Sequence, residues 1–237
     1  MKSLSVVIPL YNEQDRVGNL SKVFTYLKKL KFKSEVILVN DGSTDETLNK
    51  LKILSKKHKF SIINYSQNRG KGYAIRRGVI AAKKDHILFI DIDLSTPIEE
   101  FDKFTEILDF KNILIGSRRR SDSTIKKRQS IVRENLGRIF TYLSSVILGL
   151  KVSDFTCGFK CFPTKVAQRI FKKQRIERWG FDPEILFLAQ KLGLGIKEIP
   201  VVWSNDTKSK VSLPKDIFES LSDLFKIRYN ASRKLYF

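Results

Sequence analysis

The sequence predicts an α/β fold in which a mostly parallel central sheet is flanked by helices. Short apolar runs alternate with segments of helical periodicity through the first half of the 237-residue chain. These runs are apolar throughout, whereas strands with one solvated face would alternate apolar and polar residues. Alternating strands and helices of this kind build parallel sheets that helices cover on both faces.

Five apolar runs in the first half are predicted to be strands: LSVVIPL, EVILVN, SIINYS, HILFID and NILIG. Apolar residues spaced three and four apart predict a helix after each of the first four runs. The first of these helices has Val17 on its apolar face and the second carries Leu48; the third is expected to begin near Gly70, and the fourth follows Pro97.

The turn after the second strand, DGSTDE, is predicted to lead directly into a helix. Gly42 permits a tight turn, and Ser43 with Glu46 matches a capping box. Neither role requires Asp41, so we expect this side chain to face a functional site at the end of its strand.

The second half departs from this pattern. Residues 117–134 are polar and basic, a helix with an apolar side is predicted over 135–150, and a glycine and aromatic stretch follows. A helix from about Pro183 to Leu192, the strand IKEIPVVW and an amphipathic helix from about Pro214 complete the chain. The predicted organisation is one domain over 1–237, made of a nucleotide-binding half at 1–116, an added half at 117–212 and a C-terminal amphipathic helix at 213–237.

The charge balance indicates an anionic partner. The chain has 45 Lys and Arg against 25 Asp and Glu, a net charge of +20, which leaves nucleic acid, an acidic membrane surface and phosphorylated substrates open. No helix-turn-helix, zinc-finger or RNP motif is present, so a nucleic-acid-binding protein is a remote alternative.

Cys157 and Cys161 lack the further ligands of a zinc site. The N-terminus does not match a signal peptide and no stretch approaches about 18 apolar residues, so we expect a protein that is soluble or lies on a surface.

Polar residues follow three of the predicted strands, in PLYNE, NDGSTD and DIDLS. Because the carboxyl ends of parallel strands meet at one edge of a sheet, Glu13, Asp41, Asp91 and Asp93 are expected to lie together. The spacing of Asp91 and Asp93 predicts that both carboxylates lie on one side of an extended segment. Close carboxylates repel unless a cation lies between them, and hard oxygen ligands favour Mg²⁺ or Mn²⁺.

The segment QNRGKGYAIRRG lacks the spacing of a Walker A loop. Gly70 and Gly72 still allow a ligand to approach the backbone closely at a helix start, where Lys71 is available for a diphosphate. A plain entry into a helix is the alternative.

Taken together and in this order, eight motifs resemble those of family-two inverting glycosyltransferases with the GT-A (Rossmann-like) fold. They are VVIPLYNE, VNDGSTD, NRGKGYAIRRG, DIDLSTP, GSRRRSDS, DFTCGFKCF, RWGFDPEI and IPVVW. Within that family the sequence is most similar to the polyprenyl-phosphate (dolichyl-phosphate) glucosyl and mannosyl synthases, over the chain to about residue 212. The motifs DxxCGFK and RWGFDPE favour the glucosyl branch, for which UDP-glucose is the donor, and GDP-mannose remains open.

The resemblance implies a role for each matching position. The nucleotide sugar is expected at Pro9, Tyr11, Glu13, Asp41, Lys71 and Asp91, and the metal, Mg²⁺ or Mn²⁺, at Asp91 and Asp93. The acceptor phosphate is expected in the half spanning 117–212, at Arg118, Arg128 and Arg133. The sugar pocket is expected at Asp154, Trp179, Asp182 and Glu184, and the catalytic residues are Asp93, Arg118, Arg133 and Asp182. Ser95 stands where some mannosyl synthases supply an amide ligand, which leaves the third metal ligand open.

The chemistry of a phosphate acceptor fits these residues. A phosphate is already an anion near neutral pH, so it needs cationic positioning and no strong general base. Arginine binds phosphate in a bidentate manner, and residues 118–133 hold seven basic side chains. In-line attack inverts the anomeric centre and gives a β-linked lipid-phosphate sugar. The alternative is a family-two enzyme that acts on a soluble sugar or polysaccharide, with Asp182 or Glu184 as the base.

A lipid-borne acceptor implies contact with a membrane. At least one of two helices, that over 135–150 or the C-terminal helix, is predicted to lie in the membrane interface, where apolar residues stand beside basic ones. In the C-terminal helix these residues are Ile217, Phe218, Leu221, Leu224 and Phe225, with Lys226 and Arg228. We therefore expect a peripheral protein on the cytoplasmic face of a membrane. The alternative is that both helices only pack on the core.

Overall fold

The structure is a computed structural model that describes residues 2–206 and 213–237, without the side chains of residues 213–215. Its strands are β1 (Ser3–Leu10), β2 (Lys33–Asp41), β3 (Ser61–Tyr65), β4 (His86–Ile90), β5 (Asn112–Ser117), β6 (Thr124–Lys127), β7 (Phe159–Pro163), β8 (Gly195–Pro200) and β9 (Val202–Ser204). Its helices are α1 (Leu20–Lys29), α2 (Thr47–Leu54), α3 (Lys71–Ala81), α4 (Phe101–Thr105), α5 (Ile131–Leu148), α6 (Thr164–Lys173), α7 (Phe181–Lys191) and α8 (Leu213–Ser232). Short 3-10 turns at Val17–Asn19 and Ile98–Glu100 lead into α1 and α4.

The central sheet has seven strands among the described residues, in the order β3-β2-β1-β4-β7-β5-β8. The pairs β3–β2, β2–β1, β1–β4 and β5–β8 are parallel, and β7 is antiparallel to both of its neighbours. The predicted mostly parallel α/β sheet is therefore confirmed. Both halves of the division predicted at residue 116 contribute strands to this one sheet.

The two faces of the sheet carry separate hydrophobic cores. Along β1, Val7 packs on the side of α3, α6 and α7, whereas Val6 and Ile8 pack on the side of α1, α2 and α4. All three side chains are completely buried. This two-sided burial explains why the strand sequences are apolar throughout.

The second half contains elements that the sequence did not reveal. The glycine and aromatic stretch forms β7 and α6, and β6 pairs with β9 in a separate two-stranded ribbon. The helix predicted from residue 135 begins at Ile131, where the Ser130 hydroxyl accepts a hydrogen bond from the Arg133 amide. This earlier start places Arg133 in the first turn of α5.

The capping box predicted after β2 is wrong. Helix α2 begins at Thr47, whose amide donates to Asp45 Oδ1 (3.0 Å). The Ser43 hydroxyl instead accepts from the Asn12 amide (2.9 Å), so it joins the loop after β2 to the loop after β1.

No helix within residues 2–206 and 213–237 combines the length and the apolar character that crossing a membrane requires.

Candidate active site

A cavity of about 570 Å³ opens at the carboxyl ends of β1, β2 and β4. It brings together the site residues predicted from the sequence, with the exceptions of Arg128, Asp154 and Glu184. The predicted residues that line it are Pro9, Tyr11, Glu13, Asp41, Lys71, Asp91, Asp93, Arg118, Arg133, Trp179 and Asp182. The rule that ligands bind at this edge of a parallel sheet therefore located the cavity correctly.

Asp91 and Asp93 lie in a tight turn, which corrects the predicted extended segment. Strand β4 ends at Ile90, and the Leu94 amide donates to the Asp91 carbonyl (3.2 Å). Leu94 has a φ of +51°, a left-handed conformation that costs a non-glycine residue about 1–2 kcal/mol. The Ser95 amide donates to Asp93 Oδ1 (2.9 Å) and so fixes the second carboxylate within the turn.

The acidic pair fits a Mg²⁺ or Mn²⁺ ion. Burial and the neighbouring Asp91 carboxylate raise the pKa of Asp93, which indicates a site that favours an added cation. An ideal Cβ at Gly158 would lie 2.0 Å from Asp91 Oδ2, so only glycine leaves room for this carboxylate. Among the described residues no group of three or more His, Cys, Asp or Glu side chains forms a metal site. Mg²⁺ in proteins is usually held by one or two carboxylates and takes its other ligands from water and phosphate oxygens, so this pair suits such an ion.

Lys71 is the first residue of α3 and directly contacts Asp91 of the acidic pair. Its Nζ lies 2.6 Å from Asp91 Oδ1 and 5.5 Å from the centre of the Trp179 ring. Burial opposes the charged ammonium, yet Asp91, Asp182 and Asp93 raise the pKa of Lys71 overall. The preceding Gly70 has a φ of +107°, which permits this entry into α3.

Asp41 holds the loop that leads to Lys71. Its side chain is buried and accepts hydrogen bonds from Asn68 Nδ2 (2.9 Å), the Arg69 amide (2.8 Å) and the Gly70 amide (2.8 Å). These bonds give Asp41 a structural role that the turn sequence alone did not suggest. Asp41 also lines the cavity, and its contact with a nucleotide stays a prediction.

Arg118 is held in place by Asp154. The Arg118 Nε and Nη2 atoms each lie 2.7 Å from one Asp154 oxygen. Burial alone would oppose ionisation, but Arg118 holds the pKa of Asp154 at about 2. Asp154 is completely buried behind the arginine and does not line the cavity, which corrects its predicted place in the sugar pocket.

Asp182 is joined to a lysine that sequence reasoning missed. Lys160 is completely buried on β7, and its Nζ donates to Asp182 Oδ1 (2.5 Å) and to the Cys157 carbonyl (2.7 Å). The ammonium also lies 5.4 Å from the centre of the Phe89 ring. Burial raises the pKa of Asp182, although Lys160 and Lys71 act against this shift. The only sequence signal was a lysine inside the apolar run FKCFP.

Glu184 and Arg128 lie away from the cavity. Glu184 is buried, and it accepts hydrogen bonds from the Tyr236 hydroxyl (2.6 Å) and from the Arg175 and Ile176 amides. It therefore stabilises the packing of α7 against the C-terminal residues. Arg128 is largely exposed and faces Glu134 at 3.4 Å.

Further residues of the cavity were not identified from the sequence. Arg16 connects the loop after β1 to the end of the β6–β9 ribbon, since it pairs with Glu13 (2.7 Å) and Asp206 (2.9 Å). Trp203 on β9 lies 5.4 Å beneath the Arg118 guanidinium. An apolar part of the lining comes from α5 and α8, through Leu136, Phe140 and Ile217.

Comparison with known proteins gives a matching family model and related proteins that share one name. The family model described as glycosyl transferase family 2 matches residues 5–171. Dolichyl-phosphate beta-glucosyltransferase of Dictyostelium discoideum is 35% identical over 241 residues, which is 95% of this chain and 74% of that protein. The human protein of the same name is 34% identical over 226 residues, covering 89% and 70% of the two chains.

Solved structures are similar at the level of the fold. Glucosyl-3-phosphoglycerate synthase from Mycobacterium tuberculosis, in complex with Mn²⁺, UDP and glucosyl-3-phosphoglycerate, has a TM-score of 0.66 at 19% identity, covering 95% of this chain and 78% of its own. Mannosyl-3-phosphoglycerate synthase from Rubrobacter xylanophilus has a TM-score of 0.70 at 15% identity, with coverages of 98% and 74%. These similarities confirm the predicted GT-A fold.

Proposed function

Because the chain belongs to glycosyl transferase family 2, we propose that it transfers glucose from UDP-glucose to dolichyl or another polyprenyl phosphate. The product is a β-linked lipid-phosphate sugar, formed with inversion and with Mg²⁺ or Mn²⁺ as cofactor. One observation carries the proposal. The acidic pair and Lys71 lie in the same cavity as Arg118 and Arg133. The names of the relatives support glucose and dolichyl phosphate as substrates.

The acidic side of the cavity is suited to the donor. A divalent ion at Asp91 and Asp93 would neutralise the charge that develops on the departing nucleotide diphosphate. Lys71 adds a second cation at the amino end of α3, where helix amides also favour anions. Trp179 beside Lys71 offers an apolar face for the sugar ring.

The basic side of the cavity is suited to a phosphate acceptor. Asp154 fixes two nitrogens of Arg118, so the guanidinium is oriented before any ligand binds. Arg133 lines the same cavity as Arg118, and burial together with the Arg118 charge lowers the pKa of Arg133. Two guanidinium groups in one cavity suit a phosphate anion.

The acid groups do not favour the alternative acceptor, a sugar hydroxyl. Such an acceptor needs a carboxylate base that can reach it. Glu184 lies outside the cavity, and Asp182 is already bonded to the Lys160 ammonium. A phosphate that attacks as an anion requires neither residue as a base.

The helices around the cavity support a lipid-borne acceptor. Helices α5 and α8 pack against each other, and both contribute apolar residues to the lining. Each also leaves an outer apolar stripe exposed, formed by Ile131, Val132, Ile139, Tyr142 and Val146 on α5 and by Phe218, Phe225 and Tyr229 on α8. Leu224 of the predicted membrane face is instead buried in the core. We place these stripes in the interface of a membrane, with the protein peripheral on its cytoplasmic face and attracted to anionic lipids by its net charge.

The test is incubation with labelled UDP-glucose or GDP-mannose, polyprenyl phosphate and Mn²⁺ or Mg²⁺, followed by extraction into organic solvent. We expect lipid-phase label from UDP-glucose that depends on the metal and on Asp93. Label that stays in the aqueous phase on a sugar acceptor would favour the soluble-acceptor alternative. An α-linked lipid product would contradict inversion.

A further inference from the structure

The Asp91 carboxylate is already in contact with an ammonium group. Lys71 Nζ lies 2.6 Å from Asp91 Oδ1. The other oxygen, Oδ2, packs against Gly158, where an ideal Cβ would lie at 2.0 Å. A divalent ion that binds Asp91 therefore meets an ammonium group already in contact with this carboxylate.

The charges around this contact are nearly balanced in the protein alone. Two ammonium groups, Lys71 and Lys160, lie among three carboxylates, Asp91, Asp93 and Asp182. This leaves one excess negative charge if all five groups are ionised. Adding a divalent ion makes the cluster positive, and two cations at one carboxylate repel each other. A bound diphosphate restores the balance, because its negative charges attract both cations.

We propose that Lys71 is the resident cation of the acidic pair and that it exchanges with the metal when the donor binds. In the protein alone, the ammonium stabilises Asp91. With metal and nucleotide bound, Asp91 would hold the metal and the Lys71 ammonium would move to the diphosphate. This proposal rests on the metal site of the proposed function.

The position of Lys71 allows such an exchange. Its side chain is a flexible four-carbon stem with a single terminal charge, so a small rotation moves the ammonium between neighbouring anions. It starts from the first residue of α3, whose amide groups attract phosphate oxygens. Lys160 cannot act in this way, because it is completely buried and bonded to both Asp182 and the Cys157 carbonyl.

Exchange predicts effects of opposite sign on two affinities. Without nucleotide, Lys71 competes with the metal, so Lys71→Met should bind Mn²⁺ more tightly than the native protein. With Mn²⁺ saturating, Lys71 holds the diphosphate, so the same variant should bind UDP more weakly. A lysine that only binds diphosphate predicts the second effect alone, and a lysine needed only for folding predicts weaker binding of both.

The experiment measures free Mn²⁺ by electron paramagnetic resonance without nucleotide, and UDP affinity by calorimetry at saturating Mn²⁺. For Lys71→Met we expect a Kd for Mn²⁺ lower by about tenfold and a Kd for UDP higher by about tenfold, each about 1.4 kcal/mol. Lys165→Met, an exposed site on α6 with the same loss of charge, should leave both values unchanged. Lys71→Arg, which keeps the charge, should retain weak Mn²⁺ binding.

The outcomes separate this inference from the proposed function. If Asp93→Asn abolishes Mn²⁺ binding while Lys71→Met leaves the Kd for Mn²⁺ unchanged or higher, the metal site stands and the exchange is wrong. If Asp93→Asn does not weaken Mn²⁺ binding, the metal site itself is wrong and the exchange falls with it. Circular dichroism and thermal unfolding of each variant establish that the fold is retained.

Discussion

Replacing Lys160 by methionine should destabilise the protein strongly, in a way that depends on pH. Methionine has a similar length and fills the same apolar space, but it leaves the Asp182 carboxylate buried without its ammonium partner. Breaking a buried ion pair by removing one member costs about 3–5 kcal/mol. Loss of the bond to the Cys157 carbonyl adds about 1 kcal/mol. Because Lys71 still stabilises Asp182 electrostatically, we expect a total near the lower limit of this sum, about 4 kcal/mol at pH 8.

The pH dependence follows from the pKa of Asp182. Burial raises this pKa in the folded protein, and loss of Lys160 raises it further. In the unfolded chain the pKa of Asp182 is about 3.9. Below this pH the Asp182 carboxyl is protonated in both the folded and the unfolded protein, so removing the Lys160 ammonium costs the variant little stability. As the pH rises, the unfolded chain releases its proton first, and the folded variant is progressively destabilised until its own pKa is passed. The difference in unfolding free energy between the native protein and Lys160→Met should therefore be smaller at pH 5 than at pH 8.

Urea unfolding at the two pH values measures this difference. Lys165→Met, at an exposed site, should change stability by less than about 0.5 kcal/mol. The double variant Lys160→Met with Asp182→Leu removes both charges and should recover most of the stability. An equal loss of unfolding free energy at pH 5 and pH 8 would refute the electrostatic explanation, because the cost of a packing defect does not depend on pH.

Other parts of the site give further predictions. Gly158→Ala should displace the Asp91 carboxylate and weaken Mn²⁺ binding about 10- to 100-fold, measured by electron paramagnetic resonance; unchanged Mn²⁺ affinity would contradict the close packing. Arg118→Lys keeps the charge but loses the guanidinium fork, so the KM for polyprenyl phosphate should rise about tenfold while the KM for UDP-glucose changes little. Replacing both Phe218 and Phe225 by serine should reduce binding to anionic liposomes by about tenfold or more, with UDP affinity unchanged; full retention on the liposomes would exclude α8 from the interface.

The sequence was informative where one physical rule determines the position of a residue. Strands buried on both faces produce unbroken apolar runs, and parallel strands end at a common edge. These two rules were sufficient to bring Glu13, Asp41, Asp91 and Asp93 to one cavity. Their detailed geometry was not predictable, because the turn at Leu94 depends on hydrogen bonds that no residue spacing encodes.

The sequence was least informative for charged side chains in the second half. Asp154 and Glu184 belong to motifs that resemble a known family, and Arg128 lies in the basic stretch between two of them. Neither kind of signal specifies which way a side chain points. Asp154 lies behind Arg118, Glu184 bonds to the C-terminal residues, and Arg128 faces solvent. Burial and pairing of these groups are tertiary properties, since Arg118 lies 36 residues from Asp154 and Tyr236 lies 52 residues from Glu184 in the chain.

The strand that the sequence did not reveal contributes directly to the metal site. Strand β7 runs antiparallel to β4, so it begins at the edge of the sheet where β4 ends, and Ile90 pairs with Phe159. The residue that follows Ile90 is Asp91, and the residue that precedes Phe159 is Gly158. Their contact is therefore a consequence of strand direction and register, and a parallel strand in the same place would bring its opposite end there. The same strand carries Lys160, whose ammonium bonds to Asp182 in the cavity lining.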